Sequence, residues 1–301
     1  MFNGIIVVRK EKGFTSFDVV AKLRGICGQK KIGHTGTLDP DAEGVLPVCL
    51  GNATKVCDML TDSDKEYEAV MLLGVETDTQ DTTGQVLAEK STEQLTEELV
   101  LETIKEFVGP QKQIPPMYSA LKVDGKKLCD LARAGVTVER KARDITVYRI
   151  DVISMELPRV TMRVKCSKGT YIRTICHDIG QKLSCGAAME HLIRTRAAGY
   201  DLSQALTLSE IQQKKDDNKL VEIIQPIDEV FAVYPALQVT NQAHRMLMNG
   251  NGLIQQDFIK VEPEHYESLV RVYDKNGTFC AIYKYNKEQE RFKPEKMFLS
   301  S

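Results

Sequence analysis

The spacing of apolar positions changes several times along the chain, and each change marks an element. The apolar run GIIVVR (Gly4–Arg9) predicts a strand. Val19, Val20, Leu23 and Ile26 then recur at helical spacing, so a helix follows, capped by Ser16 with Asp18 in its first turn. Lys65–Val75 alternates, which predicts a strand with Tyr67, Ala69, Met71 and Leu73 on one face. Glu76–Gly84 reads as a polar turn. Thr96 opens an amphipathic helix that turns Leu99, Val100, Thr103, Ile104, Phe107 and Val108 inward. Alternation returns over Arg143–Leu157 and Arg159–Ser167, where Val160, Met162, Val164 and Cys166 oppose Thr161, Arg163 and Lys165. Tyr171–Leu183 is again helical, burying Ile172, Ile175, Cys176, Ile179 and Leu183, and Thr207 with Glu210 has the spacing of a capping box. Past Phe231–Pro235 the pattern shortens. SLVRVYD and TFCAIYKY flank Lys275-Asn276-Gly277, a hairpin signal, so 236–301 reads as a small, mainly β unit. A length of 301 residues agrees with two domains, or one large domain with an appendage.

Composition narrows the class. The chain is 42% hydrophobic and 27% charged, the balance of an ordinary soluble globular protein. Its longest apolar runs fall far short of the roughly 20 residues a membrane helix needs, and its start lacks a secretion pattern, so no membrane role and a cytoplasmic location are expected. None of the eight cysteines forms a C-x-x-C pair. Cys166, Cys176, His177, Cys185 and His191 come nearest to a metal cluster, but their spacings match no common zinc pattern, and core thiols are expected instead. Net charge is −2, yet its distribution is uneven. Residues 9–31 hold seven bases against two acids, 159–173 five bases and no acid, and 122–149 eight bases against four acids. Such stretches, balanced by acid elsewhere, fit a face that binds a polyanion.

One loop concentrates the candidate chemistry. Gly33–Pro47 holds three acids, one histidine and five glycines or prolines around Asp39. Asp39-Pro40-Asp41-Ala42-Glu43-Gly44 copies the opening of a calcium loop, but the twelfth position, which needs a bidentate glutamate, is Leu50. Two readings remain for the residues alone: a solvated loop, or a carboxylate held in place by stiff backbone, Pro40 driving Asp39 toward extended geometry.

The loop belongs to a set. GHTGTLDP (33–40), KEYEA (65–69), PPMYSALKVDGKKL (115–128), SKGTYIRT (167–174) and HLIRT (191–195) occur in this order. Together they resemble the bacterial tRNA pseudouridine synthases of the TruB type, over most of residues 4–200. The tail, VRVYD…FKPEKMF, resembles the PUA-like RNA-binding domain of such enzymes. The resemblance implies an α/β (α+β) fold: a mixed, largely antiparallel central sheet flanked by helices, with a small C-terminal mainly-β PUA-like domain. It divides the chain into a catalytic domain, 1–232, and an RNA-binding domain, 233–301. It implies isomerisation of uridine 55 in the T loop of tRNA, the partner being the T-arm stem-loop with its uridine flipped out. No cofactor, metal or obligate protein partner is implied. The matching positions give Asp39 as nucleophile and Arg173 as its guanidinium partner. Tyr67 becomes the stacking aromatic and a candidate acceptor of the C5 proton, and Leu192 the apolar wall. His34 and Lys10 are implied as RNA-facing residues. Two positions depart from the pattern: Glu11 stands where proline is usual, and Cys129 where tyrosine is usual. The rival class is a non-catalytic RNA-binding or tRNA-folding protein on the same fold, which has no need of a paired carboxylate.

Overall fold

A computed structural model describes residues 1–299. The larger part of the chain runs β1 (Gly4–Lys10), α1 (Ser16–Cys27), β2 (Glu43–Leu50), β3 (Lys65–Leu73), α2 (Glu97–Lys105), β4 (Gly109–Gln113), β5 (Arg143–Glu156), β6 (Arg159–Cys166), α3 (Ile172–Lys182) and β7 (Ala187–Ala197). These strands form one sheet in the order β1-β2-β7-β3-β6-β5-β4, with Ile32–His34 joined to β2 and Tyr200–Asp201 to β7. Every neighbouring pair along that order is antiparallel except β2 with β7, which run parallel. This is the mixed, largely antiparallel sheet that the resemblance implied.

Alternation decides what each face of the sheet meets. On β3, Tyr67, Ala69, Met71 and Leu73 are buried in a core built with Val100 and Ile104 of α2 and Ile172, Ile175 and Ile179 of α3. The opposite face of β3 carries Glu66 and Glu68, which pair with Arg149 and Arg163. The Val45–Leu50 run becomes most of β2, buried along its length because Val45 and Cys49 enter one apolar cluster and Leu46, Val48 and Leu50 another; strands covered on both faces read as continuous apolar runs.

Three local expectations change. Thr15, not Ser16, caps α1, through a reciprocal pair with Asp18. That leaves the Ser16 hydroxyl free for the Asp39 loop. The apolar face of α2 is narrower than expected: Leu99 is 45% and Val108 44% exposed, since the helix ends at Lys105 and only Val100, Thr103 and Ile104 turn fully into the core. The polar turn after β3 opens with a short ladder, Val75–Thr77 against Val86–Glu89.

A second sheet runs β8 (Ala236–Gln238), β9 (Leu269–Tyr273), β10 (Phe279–Asn286) and β11 (Arg291–Met297), in that order. The β9–β10 turn falls where Lys275-Asn276-Gly277 predicted it, with Gly277 at φ 81°. This sheet has its own core around Leu237, Val270, Tyr283 and Phe292. It is also joined to the larger part, because Ile282 and Phe298 share a cluster with Ile5, Val45, Val56, Ile227 and Phe231. At the same contact Lys296 pairs with Asp58 at 2.7 Å, and Lys55 Nζ donates to the Met297 carbonyl at 2.7 Å.

Cys166, Cys176 and Cys185 lie in the main apolar core. Among the described residues no three His, Cys, Asp or Glu side chains converge as metal ligands. Among the same residues, no helix is long and apolar enough to cross a membrane.

Candidate active site

The Asp39 loop is fixed from three sides by backbone-directed bonds. Ser16 Oγ accepts from Leu38 N–H at 2.9 Å and donates back to the Leu38 carbonyl at 3.3 Å. Gly13 N–H donates to the Pro40 carbonyl at 2.9 Å. Lys10 is fully buried beneath the loop, and its ammonium donates to the carbonyls of Ala42 (2.5 Å), Pro40 (2.9 Å) and Glu11 (3.2 Å). Burial lowers the Lys10 pKa to about 8, against the pull of Asp39, Asp41 and Glu43. Lys10 therefore sits behind the loop as a clamp and presents no surface to a large ligand. Gly44, sixth in the apparent calcium loop, serves a different purpose. It holds φ 107°, and a Cβ there would fall 2.2 Å from the Arg194 carbonyl, where β2 and β7 run side by side.

Arg173 opens α3 and is almost completely buried, 5% of its side chain being exposed against 40% for Asp39. Its Nε meets Asp39 Oδ2 at 3.1 Å and one terminal nitrogen meets Oδ1 at 3.3 Å, a two-point grip on the carboxylate. The same nitrogen donates to the Tyr118 carbonyl at 2.8 Å. The other donates to the Thr79 carbonyl at 3.0 Å and to Asp81 Oδ2 at 3.3 Å. Four hydrogen bonds from the two terminal nitrogens, with the Nε–Oδ2 ion pair beside them, fix the side chain in a way that suits a planar guanidinium. Asp81 escaped the sequence reading, hidden among the threonines and acids of a polar turn. Its other oxygen accepts from the Thr79 and Thr83 hydroxyls at 2.8 and 2.5 Å, so it is a fixed anchor for Arg173.

Two clefts, of about 550 and 500 Å³, meet at Asp39; Arg173, Leu192 and Ser119 line both. That size suits a small ligand or one unit of a polymer. Register brings the walls together: Ala69 of β3 pairs with Leu192 of β7, and Tyr67 with Arg194. Tyr67 is buried along the first cleft, and burial raises its pKa, so it faces the cleft as a neutral phenol. Leu192 is buried beside it. Burial pushes the Asp39 carboxyl above its ordinary value; Arg173 and Lys10 oppose that push, while Asp81 and Asp41 add to it. His34 lies apart, lining neither cleft. Its Nδ1 accepts from Gly36 N–H at 3.3 Å, and burial together with Arg194 lowers its pKa.

The sequence reading gave Arg194 no role. It is 1% exposed, donates to the carbonyls of Val45 at 2.8 Å and Gly36 at 3.3 Å, and holds a cation beside Tyr67. Its signal was available: Arg194 shares a strand face with Leu192, and a charge on a core-facing position demands a partner.

Comparison with known proteins gives a consistent picture. Residues 24–172 match the TruB family pseudouridylate synthase N-terminal domain, and residues 173–232 match the tRNA pseudouridylate synthase B C-terminal domain. A tRNA pseudouridine synthase B of Lachnoclostridium phytofermentans is 50% identical over 99% of this chain and 100% of its own length. One from Clostridium perfringens is 41% identical, covering 99% of each chain. Among solved structures, a Cbf5-Nop10-Gar1 complex matches with a TM-score of 0.74 at 29% identity, over 98% of this chain and 85% of that one. An H/ACA RNP bound to a substrate RNA containing 2′-deoxyuridine matches with a TM-score of 0.73 at 26% identity, over 99% and 85%.

Proposed function

This chain belongs to the TruB family of pseudouridylate synthases, and from that premise we propose that it converts a uridine of the tRNA T loop, uridine 55, to pseudouridine. The observation that carries the reading is the two-point Arg173–Asp39 pair at the junction of two clefts. A nucleophilic carboxylate has to stay ionised in a site that a base will desolvate. A guanidinium that cannot lose its proton, held by three further acceptors, answers that need.

The target uridine leaves the stacked loop, at a cost of a few kcal/mol, and enters the cleft with Tyr67 against its face and Leu192 closing the wall. Asp39 attacks the flipped nucleoside. The N1–C1′ bond breaks, the uracil turns, C5 bonds to C1′, and the bond made to Asp39 is released, which restores the carboxylate. The C5 proton departs and N1 gains one, so the reaction is an isomerisation that consumes nothing. Because burial keeps Tyr67 protonated, stacking is the role carried forward for it, ahead of proton transfer. Lys10 acts by positioning the loop, and His34 is assigned to RNA outside the cleft.

Residues 1–232 are assigned to catalysis and 233–301 to a PUA-like grip on tRNA, in the cytoplasm. The test is to incubate the protein with unmodified tRNA, map pseudouridine chemically, and repeat with a tRNA whose T-loop uridine is replaced by cytidine. One new pseudouridine in the T loop, absent from the replaced tRNA, is expected. Product elsewhere in the tRNA, or none, would overturn the assignment.

A further inference from the structure

Beside the catalytic loop lies an aromatic pair that the chemistry does not use. Phe17, on the first turn of α1, is 63% exposed. The Arg24 guanidinium stands 5.7 Å from its ring centre, and Lys22 Nζ stands 5.1 Å from the ring of Phe14. A single exposed apolar residue needs no explanation. Phe14 is partly packed into the core, but Phe17 is marked out by the guanidinium beside its exposed ring and by exposed Lys12, Lys22, Lys30 and Lys31 in the same segment. Asp18 caps the helix, accepting from Thr15 N–H at 2.8 Å and from the Thr15 hydroxyl at 2.6 Å, and as an exposed carboxylate it offsets part of the charge of Lys22.

Position makes the pair informative. Ser16, next in sequence to Phe17, is hydrogen-bonded both ways to Leu38, and Lys12 reaches Asp41 at 4.0 Å. Thr15 lines the cleft that contains Asp39. The N-terminal end of α1 therefore adjoins a mouth of the cleft, and Phe17 lies two residues from Thr15. An RNA strand whose nucleotide enters that cleft leaves its neighbours at the rim.

Resting on the reading above, we propose that Phe17 is a stacking platform for an unpaired base or exposed ribose next to the flipped uridine, with Lys22 and Arg24 meeting the adjoining phosphates. A flat exposed ring offers stacking to any base, and nearby cations supply the charge complement of RNA. Such a platform adds affinity and orientation without reading sequence.

The experiment measures binding of unmodified tRNA to the full-length Asp39→Asn protein, so that RNA is not consumed, across a range of salt. Adding Phe17→Ala should weaken binding about fivefold or more, the lower end of what one base–aromatic stack contributes. Its salt slope should stay unchanged, because no phosphate contact is lost. Phe17→Tyr should retain affinity, and Phe17→Leu, apolar but not flat, should not. Arg24→Ala and Lys22→Ala should each shallow the salt slope by about 1. Phe17 is exposed, so all these proteins should fold, and melting temperatures would verify it. Unchanged affinity in Phe17→Ala, or full affinity in Phe17→Leu, would overturn the platform. Either result would leave the activity of the unsubstituted enzyme on tRNA intact, whereas absence of that activity would strike the functional reading instead.

Discussion

Arg173→Lys isolates geometry from charge. Lysine keeps the positive charge but offers three N–H groups from one point, where arginine supplies five in a plane. Of the four hydrogen bonds the Arg173 terminal nitrogens make, one each to Asp39, Tyr118, Thr79 and Asp81, at least one is lost, and the Nε contact with Asp39 Oδ2 goes with it. A hydrogen bond involving a charged group contributes about 1.5–3 kcal/mol, so the loss is at least of that size. Part of this will appear as lost stability, because Arg173 is buried. The rest will appear as a misplaced Asp39, and about 1.5 kcal/mol there lowers the rate by roughly tenfold. The assay is single-turnover formation of pseudouridine on unmodified tRNA, with the folded fraction measured on the same samples by urea titration. Asp81→Asn is the companion variant, since it leaves the Asp39 grip in place while weakening the anchor behind it; a smaller loss is expected. Arg173→Lys turning over within threefold of the unsubstituted protein would refute the reasoning, because the two-point grip would then be dispensable.

Four further outcomes are expected. Lys10→Met keeps the buried stem but removes three donors from the loop carbonyls, and should cut turnover tenfold or more, at about 1 kcal/mol or above for each lost bond, with tRNA binding little changed. Turnover should climb with pH across a limb lying above the ordinary carboxylate range, because burial raises Asp39 and only its ionised form attacks; a limb at or below that range would contradict the assignment. Lys10, lowered from 10.5 to about 8, binds a proton less readily in the folded protein, so its contribution to stability rises with pH between those values, and urea titrations should find that rise missing in Lys10→Met. Truncation after Ala232 should lower the melting temperature of the remainder and expose its apolar surface to dye, since Ile282 and Phe298 cover Val56, Ile227 and Phe231.

The last of these departs most from what the sequence suggested. The hairpin and the mainly β tail were legible from alternation and from Lys275-Asn276-Gly277. Their docking against β1 and β2 was not, because nothing in the spacing of Ile282 or Phe298 says which surface covers them. The same division holds at the site. Asp39 and Arg173 stand out through punctuation and through a charge on an apolar helix, and resemblance joined them. Asp81 could not be singled out, since four threonines and acids of similar character surround it between Asp78 and Thr83. Lys10 looked like part of a basic, RNA-facing stretch. Charge along the chain does not reveal depth, and depth is what makes Lys10 a clamp. Helix boundaries shifted for a comparable reason: Thr15 and Ser16 are both competent caps, and only the neighbouring loop decides which hydroxyl is spent where.

The central claim, that Asp39 is the nucleophile of a uridine isomerisation, has a direct test. The unsubstituted protein and Asp39→Asn are each incubated with unmodified tRNA, and pseudouridine in the T loop is quantified over time alongside tRNA binding. The account predicts product from the unsubstituted protein alone, with both forms binding tRNA to within a fewfold. Pseudouridine formed by Asp39→Asn at a rate near that of the unsubstituted protein would contradict it.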